Sequence, residues 1–157
     1  MLSVLRRSYY VLSALLALLA GAVVSAEKID TTAILKPFIS DGCSIFPDGN
    51  WQSQTLWHSC CVKHDYDYWK GGTEAQRKRS DNALKQCVIE LGEAEIAELM
   101  LTGVRAGGGP YWPTPYRWGY GWPMGRGYKA LNTAEQQQVQ KLSLEIPWIE
   151  DLQLDKP

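Results

Sequence analysis

The sequence predicts a mainly α-helical protein with two long antiparallel helices, a segment rich in Gly, Pro and aromatic residues, and a short terminal helix. Two observations support this fold class. Apolar and aromatic residues recur at helical spacing on both sides of Gly71 and Gly72, a pair that ends the first run. Because only a short turn separates the two runs, the helices are expected to lie side by side in opposite directions.

The first 26 residues have the pattern of a secretory signal peptide. Two arginines precede an apolar run from Val11 to Val24, and small residues end the segment at Ala26. The run is shorter than the roughly 20 apolar residues that a membrane-spanning helix needs. We therefore expect cleavage of residues 1–26 and export of residues 27–157 as one domain, secreted to the periplasm or the medium. A retained N-terminal anchor is the alternative.

The exported part of the chain carries more acidic than basic side chains. The whole sequence has 16 Lys and Arg and 17 Asp and Glu, and the signal peptide accounts for two arginines and no acid, so the remaining net charge is about −3. Nucleic-acid binding requires clustered positive charge, and the basic cluster at residues 77–79 is flanked by Glu74 and Asp81. We interpret this cluster as a solvated helix face, exclude nucleic acid as the main partner, and expect a monomer.

The loop at residues 41–50 and the first helix carry three of the four cysteines. The loop is predicted from its Gly, Pro and Asp residues and contains Cys43. The first helix extends from about Thr55 to Trp69 and contains Cys60 and Cys61. Because these two cysteines are adjacent, they point to two different sides of the helix.

The second helix opens at a capping box. Thr73 and Gln76 have the spacing of this motif, so the helix is expected to start at about Glu74. Its apolar stripe includes Cys87, which places the fourth cysteine on this helix. Beyond a glycine bend, helical sequence continues to about Leu101.

Residues 103–128 differ in composition from the rest of the chain. They are dominated by Gly, Pro, Trp and Tyr, and this density of helix breakers excludes a regular helix. Trp and Tyr suit the headgroup region of a membrane, so the segment is either a membrane-interface platform or a loop that covers the two-helix core. Thr133 and Gln136 then form another capping box, which opens the terminal helix that ends at about Leu144.

An even number of cysteines in an exported protein indicates disulfides. Three pairings are possible for the four cysteines, and the sequence alone does not choose among them. If Cys43 bonds Cys61, which lies one turn from Asp65, the loop brings its carbonyl oxygens and the Asp41 carboxylate close to Asp65. Ca²⁺ prefers an oxygen-rich pocket of this kind.

A bond between Cys60 and Cys87 would link the two helices and supply a partner for His64. His64 lies one turn after Cys60, and in an antiparallel pair the matching point on the second helix lies N-terminal of Cys87, where Asp81 stands. A carboxylate held against a histidine fixes the tautomer of the ring and stabilises the imidazolium, as a general base requires. Tyr68, one turn after His64, could donate to the same carboxylate.

Three stretches together resemble the secreted phospholipase A2 family, in particular its prokaryotic-type members. CCVKHD, with Tyr68 after it, is similar to the family signature Cys-Cys-x-x-His-Asp followed by Tyr. DNALKQC resembles the family's second-helix pattern, and DGCSIFPDG resembles its shorter calcium loop. The resemblance covers about residues 40–90. It implies a phospholipase A2-like domain at residues 27–157 with a core at about 40–102.

The resemblance implies the fold and the disulfide pairing. In the family, two antiparallel helices are linked by a disulfide, and a calcium loop packs at their side. At the matching positions of this sequence, the bond from loop to helix joins Cys43 and Cys61. The bond between the helices joins Cys60 and Cys87.

The resemblance also implies a function. The family hydrolyses the sn-2 ester of glycerophospholipids to a fatty acid and a lysophospholipid, with Ca²⁺ as cofactor and a phospholipid membrane or micelle surface as partner. A histidine activates the attacking water, an aspartate orients the histidine, and the cation polarises the carbonyl. The implied site residues are His64 and Asp81 for catalysis, Tyr68 in support, and Asp65, Asp41 and the Gly42 carbonyl for calcium.

The sequence departs from the family in two places and leaves other interpretations open. Residues 44–47 replace a glycine-rich stretch of the animal members, and Asp67 stands where many members have a further cysteine. A non-catalytic lipid- or protein-binding module on the same scaffold and an esterase for a different acyl lipid are the competing functions. A zinc site of cysteines and His64 would lack a C-x-x-C pair. His58 has no partner at a useful spacing and is interpreted as a surface residue.

Overall fold

The computed structural model describes residues 34–148, and this part of the chain is mainly α-helical. It contains no strand and four helices, which are α1 (His58–Lys70), α2 (Glu74–Glu90), α3 (Ala94–Gly107) and α4 (Thr133–Ser143). None of the helices between residues 34 and 148 has the length and apolar character needed to cross a membrane. The predicted signal peptide, residues 1–26, lies outside the described residues.

The boundaries of α1 and α2 follow from local sequence. α1 starts three residues later than predicted, because Thr55 to Trp57 form turns that lead into the helix. It ends at Gly71, whose φ of 66° lies in the left-handed region that favours glycine. The predicted capping box of α2 is confirmed, since Thr73 Oγ1 accepts a hydrogen bond from the Gln76 backbone N–H at 3.2 Å and the Gln76 side chain accepts one from the Thr73 N–H at 2.8 Å.

Two predicted boundaries are wrong. α3 continues to Gly107, so the first residues of the 103–128 segment are helical despite their glycines. A glycine in a helix costs about 1 kcal/mol relative to alanine, and burial of Ala97 and Met100 in the core offsets that cost. The cap of α4 is Asn132, with Glu135 in the capping box, one residue before the predicted pair.

The two disulfides are the ones that the resemblance implies. Cys43 bonds Cys61 and Cys60 bonds Cys87, with Cα atoms 5.0 and 5.8 Å apart. Because Cys60 lies near the beginning of α1 and Cys87 near the end of α2, these opposite helix ends lie together. Disulfides of this kind are typical of proteins that reside in an oxidising environment.

A hydrophobic core fills the space between α1, α2 and α3. Burial of apolar area at about 25 cal/mol per Å² is the main source of stability in such a core. Leu84 and Val88, one turn apart on α2, and Ala97 and Met100 on α3 present one continuous apolar face. The buried members of this core are Trp57, Cys60, Cys61, Leu84, Val88, Ala97 and Met100.

The segment after α3 caps the C-terminal end of α1. Carbonyl groups in the last turn of a helix have no partner within the helix, and here the indole N–H groups of Trp118 and Trp122 donate to the carbonyls of Gly72 and Lys70 at 2.9 and 2.7 Å. The backbone N–H of Gly119 donates to the Tyr68 carbonyl at 2.6 Å. Trp118 and Trp122 are buried, so this part of the segment covers the helices.

A buried ion pair holds α4 to the preceding segment. The Arg126 guanidinium donates to Glu135 Oε2 at 2.9 Å, and both side chains are almost fully buried. The same carboxylate oxygen accepts a hydrogen bond from the Asn132 backbone N–H at 2.9 Å, which selects the observed register of the α4 cap. The hydrogen bond from Arg126 lowers the pKa of Glu135 below its ordinary value.

Replacing Glu135 with Gln should lower the free energy of unfolding at pH 7 by about 3 kcal/mol, because the buried Arg126 loses its charge partner. Gln preserves the capping-box geometry, so the loss reports the ion pair. In the wild type this stabilisation is complete above the ordinary glutamate pKa of about 4.3 and declines as the pH falls through the lowered pKa of the folded state. Urea denaturation at several pH values should show a steeper decline in the wild type than in E135Q.

The control is E74Q, which removes an exposed acid that pairs with Lys78 at 2.7 Å in the first turn of α2. Exposed ion pairs contribute little to stability, so this variant should unfold at nearly the same urea concentration as the wild type. Equal effects of E74Q and E135Q would show that the buried pair has no special weight.

Candidate functional site

His64 and Asp81 meet between α1 and α2. His64 Nε2 lies 3.1 Å from Asp81 Oδ1, and the Tyr68 hydroxyl donates to the same oxygen at 2.6 Å. The Tyr68 and His64 rings stack with centroids 4.1 Å apart. The structure therefore brings together the three residues that the sequence analysis proposed for the catalytic pair and its support.

The charge of Asp81 is fully enclosed by the protein. Its side chain has no solvent exposure, and burial alone would raise the pKa of the carboxyl group. The hydrogen bonds from His64 and Tyr68, together with the nearby charge of Arg77, outweigh burial and lower this pKa below its ordinary value. Asp81 is therefore an anion at neutral pH, and the Tyr68 hydroxyl stays a donor because burial and the nearby Asp81 raise the pKa of Tyr68.

Two arginines approach the second oxygen of Asp81. Arg105 Nε lies 2.6 Å from Oδ2, although its N–H does not point at the oxygen, so the contact is a charge pair and not a directed hydrogen bond. Arg77 Nε lies farther away, at 3.9 Å. The predicted solvated helix face at residues 77–79 is wrong for Arg77, because this side chain is buried and has only 8% of its surface exposed.

Arg77 joins three helices and the segment that follows them. Its Nε donates to the Tyr68 hydroxyl at 3.0 Å on α1, and Nη1 donates to the Tyr128 hydroxyl at 2.7 Å. Nη2 donates to the carbonyls of Val104 and Arg105 at 2.7 and 3.0 Å. These carbonyls belong to the last turn of α3, so Arg77 adds donors at this helix end, where the Val104 carbonyl also accepts from the Gly108 N–H at 2.9 Å.

The loop at residues 40–48 contacts Asp65, the predicted calcium ligand. The Ser40 hydroxyl donates to Asp65 Oδ2 at 2.6 Å. Burial raises the pKa of Asp65 to about 7, the Ser40 hydrogen bond opposes this, and the negative charges of Asp41 and Asp48 add to it. Asp65, Asp41 and Asp48 thus form an acidic region that a cation would stabilise.

The loop has a defined backbone. The Cys43 N–H donates to Asp48 Oδ1 at 2.8 Å, and the Ser44 hydroxyl donates to Asp41 Oδ1 at 2.9 Å. Gly42 has a φ of 78°, and a Cβ atom there would collide with the Asp48 carboxylate, so the position requires glycine. The disulfide of Cys43 fixes this loop against α1, one turn from Asp65.

A cavity of about 290 Å³ is lined by several of the proposed site residues, but not by Asp81 or Asp41. His64, Asp65, Tyr68 and Gly42 line it together, so four of the predicted site residues face one space. The rest of the lining is mostly apolar or lacks side chains, as in Ile45, Phe46, Leu84, Leu99, Met100, Gly103 and Gly107. A pocket with an apolar lining and a few convergent polar groups is the usual form of a small-molecule site.

The side chains alone do not form a metal cage. Within residues 34–148, no three His, Cys, Asp or Glu side chains form a group that could hold a metal ion. The zinc interpretation is wrong, because all four cysteines are in disulfides and have no thiolate to offer. Calcium also accepts backbone carbonyl oxygens as ligands. A cation at Asp65 would therefore need carbonyl oxygens of the loop as further ligands.

Four residues of the site were not identified from the sequence. Arg77 and Arg105 contact Asp81, Ser40 contacts Asp65, and Asp48 holds the loop. The spacing of Arg77 and Asp81, four residues apart on one helix, was a usable signal. For Arg105 the sequence contained no such signal, because its contact with Asp81 depends on how α3 packs on α2.

Comparison with known proteins adds no assignment. The chain matches no protein-family model, no curated protein and no solved structure. Any assignment of function therefore rests on the sequence resemblance and the geometry of the site.

Proposed function

We propose that this protein is an exported, calcium-dependent phospholipase A2 that hydrolyses the sn-2 ester of glycerophospholipids to a fatty acid and a lysophospholipid. One observation carries the proposal. His64, which is paired with the buried Asp81, and the Asp65 carboxylate line the same cavity, whose remaining walls are mostly apolar. A general base, a cation-binding carboxylate and a space for an acyl chain are the three parts that this reaction needs.

His64 is the proposed general base. Its Nε2 atom faces Asp81 at 3.1 Å, and a neutral imidazole that donates from Nε2 keeps a lone pair on Nδ1. Nδ1 can then accept a proton from a water molecule that attacks the ester carbonyl. Asp81 stabilises the imidazolium that forms, since it is buried and charged.

Asp65 is the proposed carboxylate ligand of calcium, with Asp41 and the Gly42 carbonyl as further ligands. When bound there, Ca²⁺ would polarise the ester carbonyl and stabilise the developing oxyanion. Ser40 orients Asp65 through its hydrogen bond of 2.6 Å, and the disulfide of Cys43 holds the loop in place. No protein nucleophile is required, because the attacking group is water.

The entrance of the cavity suits a lipid surface. Ile45 and Leu99 both line the cavity, and 88% and 57% of their surfaces are exposed. Exposed apolar side chains grouped around a pocket are a feature of surfaces that bind lipids or other apolar partners. We therefore propose a phospholipid membrane or micelle as the partner, with an antiparallel pair of α1 and α2 as the scaffold beneath it.

Replacing His64 with Gln should reduce fatty-acid release from phosphatidylcholine vesicles in the presence of calcium by roughly 10²- to 10⁴-fold, because no other group accepts the proton. The matched control is H58Q, since His58 is exposed and should be dispensable. Full activity in H64Q would exclude the proposed base. A wild-type protein that binds vesicles without releasing fatty acid would instead favour the non-catalytic binding module.

Replacing Asp65 with Asn should abolish calcium binding and calcium-dependent activity, because a neutral amide removes the charged ligand. D67N is the matched control, since Asp67 lies two residues later on α1, is 40% exposed and pairs with Lys70. Isothermal titration calorimetry with calcium and the vesicle assay with and without chelator provide the two measurements. Calcium binding by D65N at wild-type affinity, or wild-type activity in chelator, would contradict this assignment.

A further inference from the structure

The two oxygen atoms of the Asp81 carboxylate face different groups. Oδ1 accepts from Tyr68 at 2.6 Å and faces His64 Nε2 at 3.1 Å. Oδ2 faces Arg105 Nε at 2.6 Å. A carboxylate that is held at one oxygen can still rotate about its bond to Cβ, and a close charge pair at the second oxygen opposes that rotation.

Arg77 cannot take the place of Arg105. Its Nε lies 3.9 Å from Asp81 Oδ2, and the hydrogen on that nitrogen is donated to the Tyr68 hydroxyl. Its other two nitrogens donate to Tyr128 and to carbonyls at the end of α3. The Arg77 nitrogen nearest to Oδ2 therefore donates elsewhere, and Arg105 is the closer of the two arginines to this oxygen.

Arg105 is itself held at a defined position above Asp81. Its Nη2 atom donates to the Lys78 carbonyl at 3.0 Å and to Asn82 Oδ1 at 3.1 Å. These two acceptors lie on α2 on either side of Asp81 in the sequence, so the guanidinium bridges the helix over the carboxylate. Arg105 does not line the cavity, which excludes direct contact with a ligand there.

We propose that Arg105 is a positioning residue, which fixes the plane of the Asp81 carboxylate and thereby the tautomer and orientation of His64. Its kinetic consequence rests on the proposed phospholipase activity, whereas its structural consequence does not. α3 thus contributes the charge of Arg105 to the site, and this residue lies outside the sequence signature at residues 60–68.

The structural consequence is tested by nitrogen NMR of the histidine rings. The chain has two histidines, and His58 is exposed and serves as an internal reference. Spectra are recorded on the alkaline plateau, at a pH above which the nitrogen shifts of both rings no longer change. The wild type should show His64 as the tautomer protonated at Nε2, and R105Q should show its ring signals displaced towards a mixture of tautomers.

The matched variants separate orientation from charge and stability. R79Q removes an exposed arginine of α2 and should leave the His64 signals unchanged. R105K keeps a positive charge near Asp81 and should restore most of the wild-type spectrum. In the vesicle assay, R105Q should lower kcat roughly tenfold with KM within about twofold, because orientation of the base is impaired and the cavity is not.

The outcomes are distinguishable. Unchanged His64 signals in R105Q overturn the proposal, including the case in which R105Q only lowers the melting temperature. Equal displacement in R105K and R105Q overturns it too, because the retained charge then has no effect. A wild-type protein without esterase activity overturns the proposed function, while the comparison of tautomers still decides the role of Arg105.

Discussion

The buried charge of Asp81 is the constraint on which the arrangement of α1, α2 and α3 depends. Placing a carboxylate in a protein interior costs several kcal/mol unless charged or hydrogen-bonding partners compensate for it. Here the partners come from all three helices, as Tyr68 and His64 on α1, Arg77 on α2 and Arg105 on α3. The observed packing of the three helices brings these partners to Asp81 together, and it also places His64 at the wall of the cavity.

The segment after α3 provides hydrogen-bond donors for the carbonyl groups at the end of α1. Gly71 and Gly119 pack so closely that a Cβ on Gly71 would lie 2.8 Å from Gly119 Cα. This approach lets Trp118 and Trp122 reach the carbonyls of the helix end. The aromatic residues of the 103–128 segment thus fall into two groups. Trp118 and Trp122 are buried against the helices, while Tyr111 and Trp112 are exposed.

Local sequence predicted the features that arise within one element or from one cysteine pair. The start of α2, the two disulfides and the meeting of His64 with Asp81 follow from caps, from the resemblance and from helical spacing. The position of Arg105 could not be predicted, because nothing in the sequence of α3 specifies which residue faces α2. The cap of α4 was misplaced for a similar reason, since Thr133 suits a cap and the long-range partner Arg126 selects Glu135.

The bond between Cys60 and Cys87, 27 residues apart, closes a covalent ring that also contains His64 and Asp81. Such a ring restricts the unfolded chain, and in the chain-entropy account a loop of this size contributes roughly 3 to 4 kcal/mol. Arg105 lies outside the ring. If α3 opened locally, Arg105 would leave Asp81, while the ring would keep His64 and Asp81 close to each other. The orientation of the His64 ring would then be lost before the contact between His64 and Asp81.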